Sequence, residues 1–303
     1  MKNKALILSA LKEANVSFET DVMLSRFTNY GTGGPADLMI SPDSPEKTSK
    51  ALNIMAENNI PVFPIGRGTN LLANDDGFRG ALISIANCSV ICLGNGKFEA
   101  GAQAPLDTLV QISIEKSFAD ALGLAGIPGS IGGGLAMNAG AWGYSVGEKA
   151  YSLSAFDLYG KELSADLAEA FDYRKFSLRG KAVIFSAVFS FNNERDQSEL
   201  HSEVNQILKK RADSQPLQMQ SAGCVFKNPE GDHAGRLIDM AGLKGLSVGG
   251  ASVSDIHANF IVTQKGARSS DVLELIEKIR NSIYTKFGIK LELEIIKIGF
   301  TKQ

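Results

Sequence analysis

The segment SAGCVFKNP, residues 221–229, places a cysteine just ahead of a lysine and an asparagine. Cys224 has several chemistries open to it: core filling, metal binding, nucleophilic attack, disulfide exchange or proton donation. A metal site needs about four ligands at close spacing. His201, His233 and His257 lie far apart with no cysteine pair beside them, so no metal is expected. A nucleophile needs a base or cation that lowers its pKa, and Lys227 is near enough in sequence to supply one. A proton donor needs a thiol that keeps its proton, as an unperturbed thiol with a pKa near ~8.5 does at neutral pH. The segment alone leaves nucleophile and acid both open.

Other polar side chains have plainer readings. Arg174, in FDYRKFSL, carries a permanent cation able to fork onto a carboxylate, yet a surface arginine such as Arg179 is the simpler assignment. Lys290, Glu292 and Glu294 alternate in KLELE as the polar face of a half-exposed strand would. Tyr173 reads as a core tyrosine, His257 as a structural histidine and Trp142 as a packing residue.

Two glycine-rich segments, IGRGTNLL (65–72) and GIPGSIGGGLAMNAG (126–140), have the composition of phosphate cradles. Glycine permits positive φ and close approach to a ligand, and successive N–H groups in such turns converge on an anion. Thr69, Asn70 and Ser130 add side-chain donors. Both segments follow predicted strands, which suits a dinucleotide pyrophosphate; tight turns in a strand-rich domain account for them equally well. A Rossmann domain is not expected. GRGTNL lacks the third glycine of its fingerprint, GTGGPA leads into a strand, and no P-loop occurs.

The elements that must position these residues follow from periodicity. Strands are expected over 36–40 and 61–66, flanking a helix over 44–58 with Ser44 as cap, Pro45 in its first turn and Ala51, Leu52 and Met55 on one face. Further strands are expected over 80–85, 89–93, 151–158 and 182–191, with a helix over 105–117. Cys88 and Cys92 read as buried small hydrophobes. The polar interval 192–198 is the expected domain boundary. Beyond it come a helix over 199–213, with Leu200, Val204, Ile207 and Leu208 on one stripe, and a helix over 233–242 capped by Asp232 and stopped by Gly242. A third helix spans 271–287, burying Val272, Leu275, Ile276, Ile279 and Ile283, and a closing strand spans 289–299.

The 303 residues suffice for two domains, and 44% hydrophobic with 21% charged residues is an ordinary globular composition. A net charge of −2 shows no footprint for nucleic acid or an anionic membrane. The N-terminal apolar run breaks at Lys12-Glu13 and reads as an amphipathic helix. No segment approaches the ~20 apolar residues of a spanning helix, so a cytoplasmic protein is expected.

Taken together, LSRFTNYGTGGPADL, GRGTNLL, GIPGSIGGGLAMNAGAWG, DYR, SAGCVFKNP, AGRLIDMAGLKG, GGASVSDIHANFIV and LELEIIKIG occur in the order and rough spacing of the UDP-N-acetylenolpyruvoylglucosamine reductase (MurB) family of peptidoglycan synthesis. The chain resembles the shorter form of that family from about Arg26 to Gly299. The resemblance implies an α+β fold, with a vanillyl-alcohol-oxidase-type (PCMH-type) FAD-binding domain of two lobes and a C-terminal α+β substrate domain. On this basis 1–25 is an N-terminal helical segment, 26–193 the FAD-binding domain with its lobes divided near 90–100, and 194–303 the substrate domain.

The resemblance further implies FAD held by Gly66, Arg67, Gly68, Thr69, Asn70, Leu71, Gly126, Ile127, Pro128, Gly129, Ser130, Gly133 and Asn138. It implies NADPH as co-substrate and UDP-GlcNAc-enolpyruvate as substrate, reduced by hydride from flavin N5 to C3. Cys224 aligns with the family's proton donor to C2, usually serine, and Arg174 and Glu294 with the groups that stabilise the enolate. Tyr173, Lys227, Asn228 and His257 align with substrate contacts. The family usually reads Tyr-Arg-x-Ser where this chain has Phe176, with Ser177 one place later. A monomer is expected. The alternatives are another FAD-dependent oxidoreductase of the same superfamily and a flavin-binding module without catalysis.

Overall fold

In the computed structural model, which describes residues 3–163, 167 and 169–300, the helix expected over 44–58 runs Pro45–Glu57. The Ser44 hydroxyl accepts the Lys47 N–H at 3.2 Å, and Thr48, Ala51, Leu52 and Met55 are buried. Their spacing puts them on one face. They pack with Ile7 and Leu11 of the helix Lys4–Glu13 in a common apolar cluster. The N-terminal helix is therefore part of the first unit's core, where the sequence suggested a separate segment.

The chain forms two compact units. One takes Met1–Thr20, Asp37–Arg67 and Gly80–Lys209; the other takes Asp21–Ala36, Gly68–Arg79 and Lys210–Gln303. Both the boundary and the continuity differ from the expected division at 193/194. The polar interval is anchored at its start rather than free: the Asn192 and Asn193 N–H groups donate to the buried Asp120 at 3.1 and 2.8 Å, and Lys149 pairs with Asp120 at 2.7 Å. Leu200, Val204 and Ile207 of the helix Gln197–Ser214 then pack on the first unit's core, while Leu208 is 41% exposed and leaves the expected stripe.

A four-stranded sheet is ordered Ser17–Met23, Pro35–Ser41, Phe78–Ile83, Val62–Pro64, its last pair parallel. A second sheet of the first unit is antiparallel, ordered Val90–Gly94, Lys97–Gly101, Ala182–Ser190, Ala150–Asp157, Glu162–Leu163. The apolar strand Ala182–Ser190 is central, as its composition requires. Val90–Gly94 is an edge, and Ile91 and Leu93 are about half exposed. Cys88 and Cys92 are exposed too, which corrects their assignment to the core. An edge strand has one hydrogen-bonded neighbour and far less cover.

In the second unit Gln220–Cys224, Phe260–Thr263, Ala251–Val253 and Ser247–Val248 form an antiparallel sheet in that order. The helix Ser269–Phe287 buries Val272, Leu275, Ile276, Ile279 and Ile283 in this unit's core. Gly288 ends it at φ 70°, where a left-handed residue accepts no side-chain penalty only if it is glycine. The helix Ala234–Met240 starts from His233; Asp232, expected as its cap, binds Arg236 and the His233 N–H. The expected closing strand shrinks to Ile296–Ile298, parallel to Leu71–Ala73, with a single bridge between Leu293 and Phe226 before it. No described helix is long and apolar enough to cross a membrane.

Candidate functional site

The two glycine-rich segments meet in the first unit. A Cβ on Gly66 would come within 2.5 Å of the Ser130 hydroxyl and 3.6 Å of the Gly133 Cα. Ser130 is buried and caps the helix Ile131–Met137, its hydroxyl accepting the Gly133 N–H at 3.3 Å. Gly126 and Gly129 enter this turn at φ 69° and 142°, and Asp107 holds the Gly126 N–H at 2.9 Å. Between them Ile127 is half-buried and Pro128 exposed.

Gly66, Ser130, Gly132 and Gly133 line an open cleft whose walls include Pro64, Ile65, Ile83, Ile85, Val183 and Ile184. The cleft combines apolar walls with glycines that let a ligand approach the backbone closely, surroundings suited to a flavin dinucleotide. Gln103, absent from the sequence-based set, lines it as well. Its Nε2 binds the Ser84 hydroxyl, and its buried Oε1 makes no hydrogen bond to the described residues, leaving an acceptor for a ligand N–H or O–H. No local pattern singles out this glutamine, because its role depends on the strand beside it.

Gly66→Val should push into Ser130, uncap the helix and narrow the cleft. A lost cap costs about 1 kcal/mol, so FAD binding should weaken by about fivefold or more. Flavin fluorescence titration of the apoprotein measures this directly.

From Gly68 onward the first glycine segment belongs to the second unit. Gly68 has φ 67°, and a Cβ there would overlap the Phe27 carbonyl at 1.5 Å, so glycine is required by close backbone packing. Arg67 is exposed, Thr69 half-buried and Leu71 buried. Asn70 directs its amide to the Glu294 carbonyl at 3.1 Å.

Arg174 sits in a two-residue turn between the short strands Phe171–Asp172 and Lys175–Phe176, at φ 52°. Its guanidinium donates to the carbonyls of Asn138, at 3.3 Å, and Gly140, at 2.7 Å, and lies 5.2 Å from the exposed Tyr173 ring. Asn138 holds this turn from within: its amide donates to the Asp172 carbonyl at 2.9 Å and accepts the Gly147 N–H at 3.0 Å. Its side chain is therefore engaged with the protein. Phe176 is buried and stacks on Phe171 at 4.8 Å, which accounts for an aromatic at that place. Trp142, expected to pack, is 52% exposed.

In the second unit Cys224 closes its strand opposite Phe260, with a bulge after Ser221 and Gly223 at φ 74°. The chain beyond is held on both sides. Val225 N–H donates to the Asn259 carbonyl at 2.8 Å, and the Asn259 amide binds both the N–H and the carbonyl of Phe226, at 3.0 and 2.8 Å. On the other side Lys227 N–H donates to Glu292 and Glu294 N–H to the Val225 carbonyl, at 2.9 and 2.8 Å. Cys224 and Glu294 thus lie on adjoining segments of one unit. Lys227 pairs with Glu292 at 3.2 Å, so the carboxylate expected to face only solvent also draws this lysine. Asn228 accepts the Ala234 N–H at 3.1 Å and anchors the following helix.

His257 accepts the Asn259 N–H on Nδ1 at 3.2 Å and meets Phe260 edge-on at 4.8 Å. Burial pushes its pKa below the ordinary histidine value, and Lys244 adds to the shift, so the ring is neutral near pH 7. Asn259 itself was not among the expected residues; an asparagine in HANF carries no signal until the two segments meet. Asn259→Ala strips two backbone groups of their partners at a buried site, and should lower the unfolding free energy by about 2–4 kcal/mol, read by chemical denaturation. Among the described residues no group of three His, Cys, Asp or Glu side chains could hold a metal ion.

Residues 215–298 match the C-terminal domain of UDP-N-acetylenolpyruvoylglucosamine reductase, and residues 36–153 match an FAD binding domain. The chain is 35% identical over 285 residues to the reductase of that name from Syntrophus aciditrophicus, covering 92% of this chain and 91% of the relative. It is 37% identical over 281 residues to the corresponding protein of Pelobacter propionicus, with coverage of 92% and 95%. Among solved structures it is similar to the reductase (MurB) from Thermus caldophilus, with a TM-score of 0.79 at 32% identity, spanning 93% of this chain and 98% of that one.

Proposed function

The chain belongs to the UDP-N-acetylenolpyruvoylglucosamine reductase family of FAD-dependent oxidoreductases, and from that premise we propose that it reduces UDP-GlcNAc-enolpyruvate to UDP-N-acetylmuramate with NADPH. The observation that carries this assignment to named residues is the Glu294–Val225 backbone bond, which sets Glu294 beside the segment of Cys224.

Gly66, Ser130 and Gly133 hold FAD in the cleft of the first unit, with Gly126–Gly129 and Arg67–Leu71 as neighbouring contacts. Bound there, FAD supplies the two-electron relay from NADPH to C3 of the enolpyruvyl group. The protein then has two tasks: to stabilise negative charge at the enolate and to bring a proton to C2. Arg174 carries a fixed cation for the enolate and carboxylate, and two carbonyls restrain its guanidinium before substrate arrives. Cys224 gives its proton to C2. Glu294 shares the task of stabilising or protonating the intermediate. Lys227, Asn228, Tyr173 and His257 contact the sugar nucleotide. Neutral His257 adds no charge there. We assign the protein to the cytoplasm, as a monomer acting in peptidoglycan precursor synthesis.

The visible spectrum tests the proposal. Anaerobic NADPH should bleach the flavin band, and UDP-GlcNAc-enolpyruvate should restore it. A protein that stays colourless after FAD is supplied, or a band that NADPH bleaches and the enol ether does not restore, would overturn it.

A further inference from the structure

Gln103 follows the strand Lys97–Gly101 and sits between two residues tied to the glycine-rich helix. On one side Ala102 N–H donates to the Phe185 carbonyl at 2.9 Å, and the Ala102 carbonyl accepts the Gly132 N–H at 2.8 Å. On the other side the Ala104 carbonyl accepts the Ile131 N–H at 2.9 Å. The backbone of Gln103 is thereby fixed beside the first turn of the helix that Ser130 caps, and Gln103 lines the same cleft as Ser130 and Gly133. The Ser84 hydroxyl accepts from the Gln103 Nε2, which leaves Oε1 as the end of the amide with no hydrogen bond to the described residues.

An acceptor shielded from water and left unpaired is unfavourable. Methionine would fill a similar space without that penalty. The terminal torsion of glutamine is broad, so a small turn of the amide presents its oxygen to a ligand in the cleft without leaving the rotamer.

We propose that Gln103 selects the adenine of FAD, its Oε1 accepting an N–H of the exocyclic amino group. This rests on the proposed placement of FAD in this cleft. A carbonyl oxygen repels phosphate oxygens, so the pyrophosphate belongs to the glycine turn and not to Gln103. The other donors of FAD are its ribose and ribityl hydroxyls, the flavin N3–H and the adenine amino group. Ile83, Ile85, Val183 and Ile184, which wall the cleft, belong to the first unit's buried core and suit a flat ring better than a polyol chain. The isoalloxazine must keep a face free for the nicotinamide and then for the enol ether. Adenine takes no part in the reaction, and nothing prevents its enclosure between such walls.

The test is fluorescence titration of the apoprotein with FAD, FMN and flavin hypoxanthine dinucleotide, in which a keto oxygen replaces the amino group. The parent protein should bind FAD about five- to tenfold more tightly than the hypoxanthine analogue, because two acceptor oxygens would meet in the latter. Gln103→Met should bind FAD about five- to tenfold more weakly than the parent, no longer distinguish the two dinucleotides, and leave FMN affinity unchanged. The comparison of dinucleotides on the parent protein decides the question even where the variant fails to fold. Equal or tighter binding of the hypoxanthine analogue by the parent overturns the assignment. Equal losses of FAD and FMN affinity in Gln103→Met would put Oε1 against the flavin half and overturn it too, as would unchanged FAD affinity. A parent protein that takes up no flavin overturns the FAD reading of the cleft itself, and the adenine assignment with it.

Discussion

Cys224→Ala is expected to slow reduction of the enol ether by about 10²–10⁴-fold, the usual contribution of a positioned general acid. Reduction of the bound flavin by NADPH should proceed as before. Cys224→Ser should retain substantial activity, since a hydroxyl occupies the same place and also carries a proton. The chemistry separates the two half-reactions, because a proton is needed at C2 only when the enol ether is reduced. The Cys224 segment is held by Asn259 on one side and by Glu292 and Glu294 on the other, so the side chain is presented on a fixed backbone. Anaerobic stopped-flow spectra resolve both steps. An alanine variant that holds FAD but no longer accepts hydride from NADPH would contradict the acid role and make Cys224 part of the reductive step.

The second large effect is expected from Arg174→Gly, a slowing of the enol-ether step by about 10²–10³-fold. Arg174 occupies a left-handed turn position at φ 52°, which costs a non-glycine residue roughly 1–2 kcal/mol. Glycine takes that conformation without penalty, so the turn should survive. The relief of strain opposes the loss of two hydrogen bonds to the Asn138 and Gly140 carbonyls, and the melting temperature should change by only a few degrees. Strain of this kind persists only where the surroundings enforce it, here the two carbonyl contacts of the guanidinium. If Arg174→Gly turns over at the parental rate, the cation has no part in stabilising the enolate, and its carbonyl contacts are structural only.

Local physical chemistry was legible in the sequence. Ser44 and Pro45 start a helix, Gly288 stops one, and the apolar spacing of Val272 to Ile283 marks the buried face, because these signals act within a few residues. The ordered motifs that carry Arg174, Cys224 and Glu294 were legible for the same reason, as was the family to which the chain belongs. What required the tertiary structure depends on partners far along the chain. Residues 192–198 read as a linker until Asp120 supplies their partner, and Cys88 and Cys92 read as core until Val90–Gly94 proves to be a sheet edge. The strand expected over 289–299 is cut short because its pairing comes from Phe226 and then from Leu71–Ala73, each for only a few residues. Gln103 and Asn259 carry no local pattern at all. Their significance arises when a polar atom is buried beside a distant segment, and the energy of a buried donor or acceptor is decided by what that segment places opposite it.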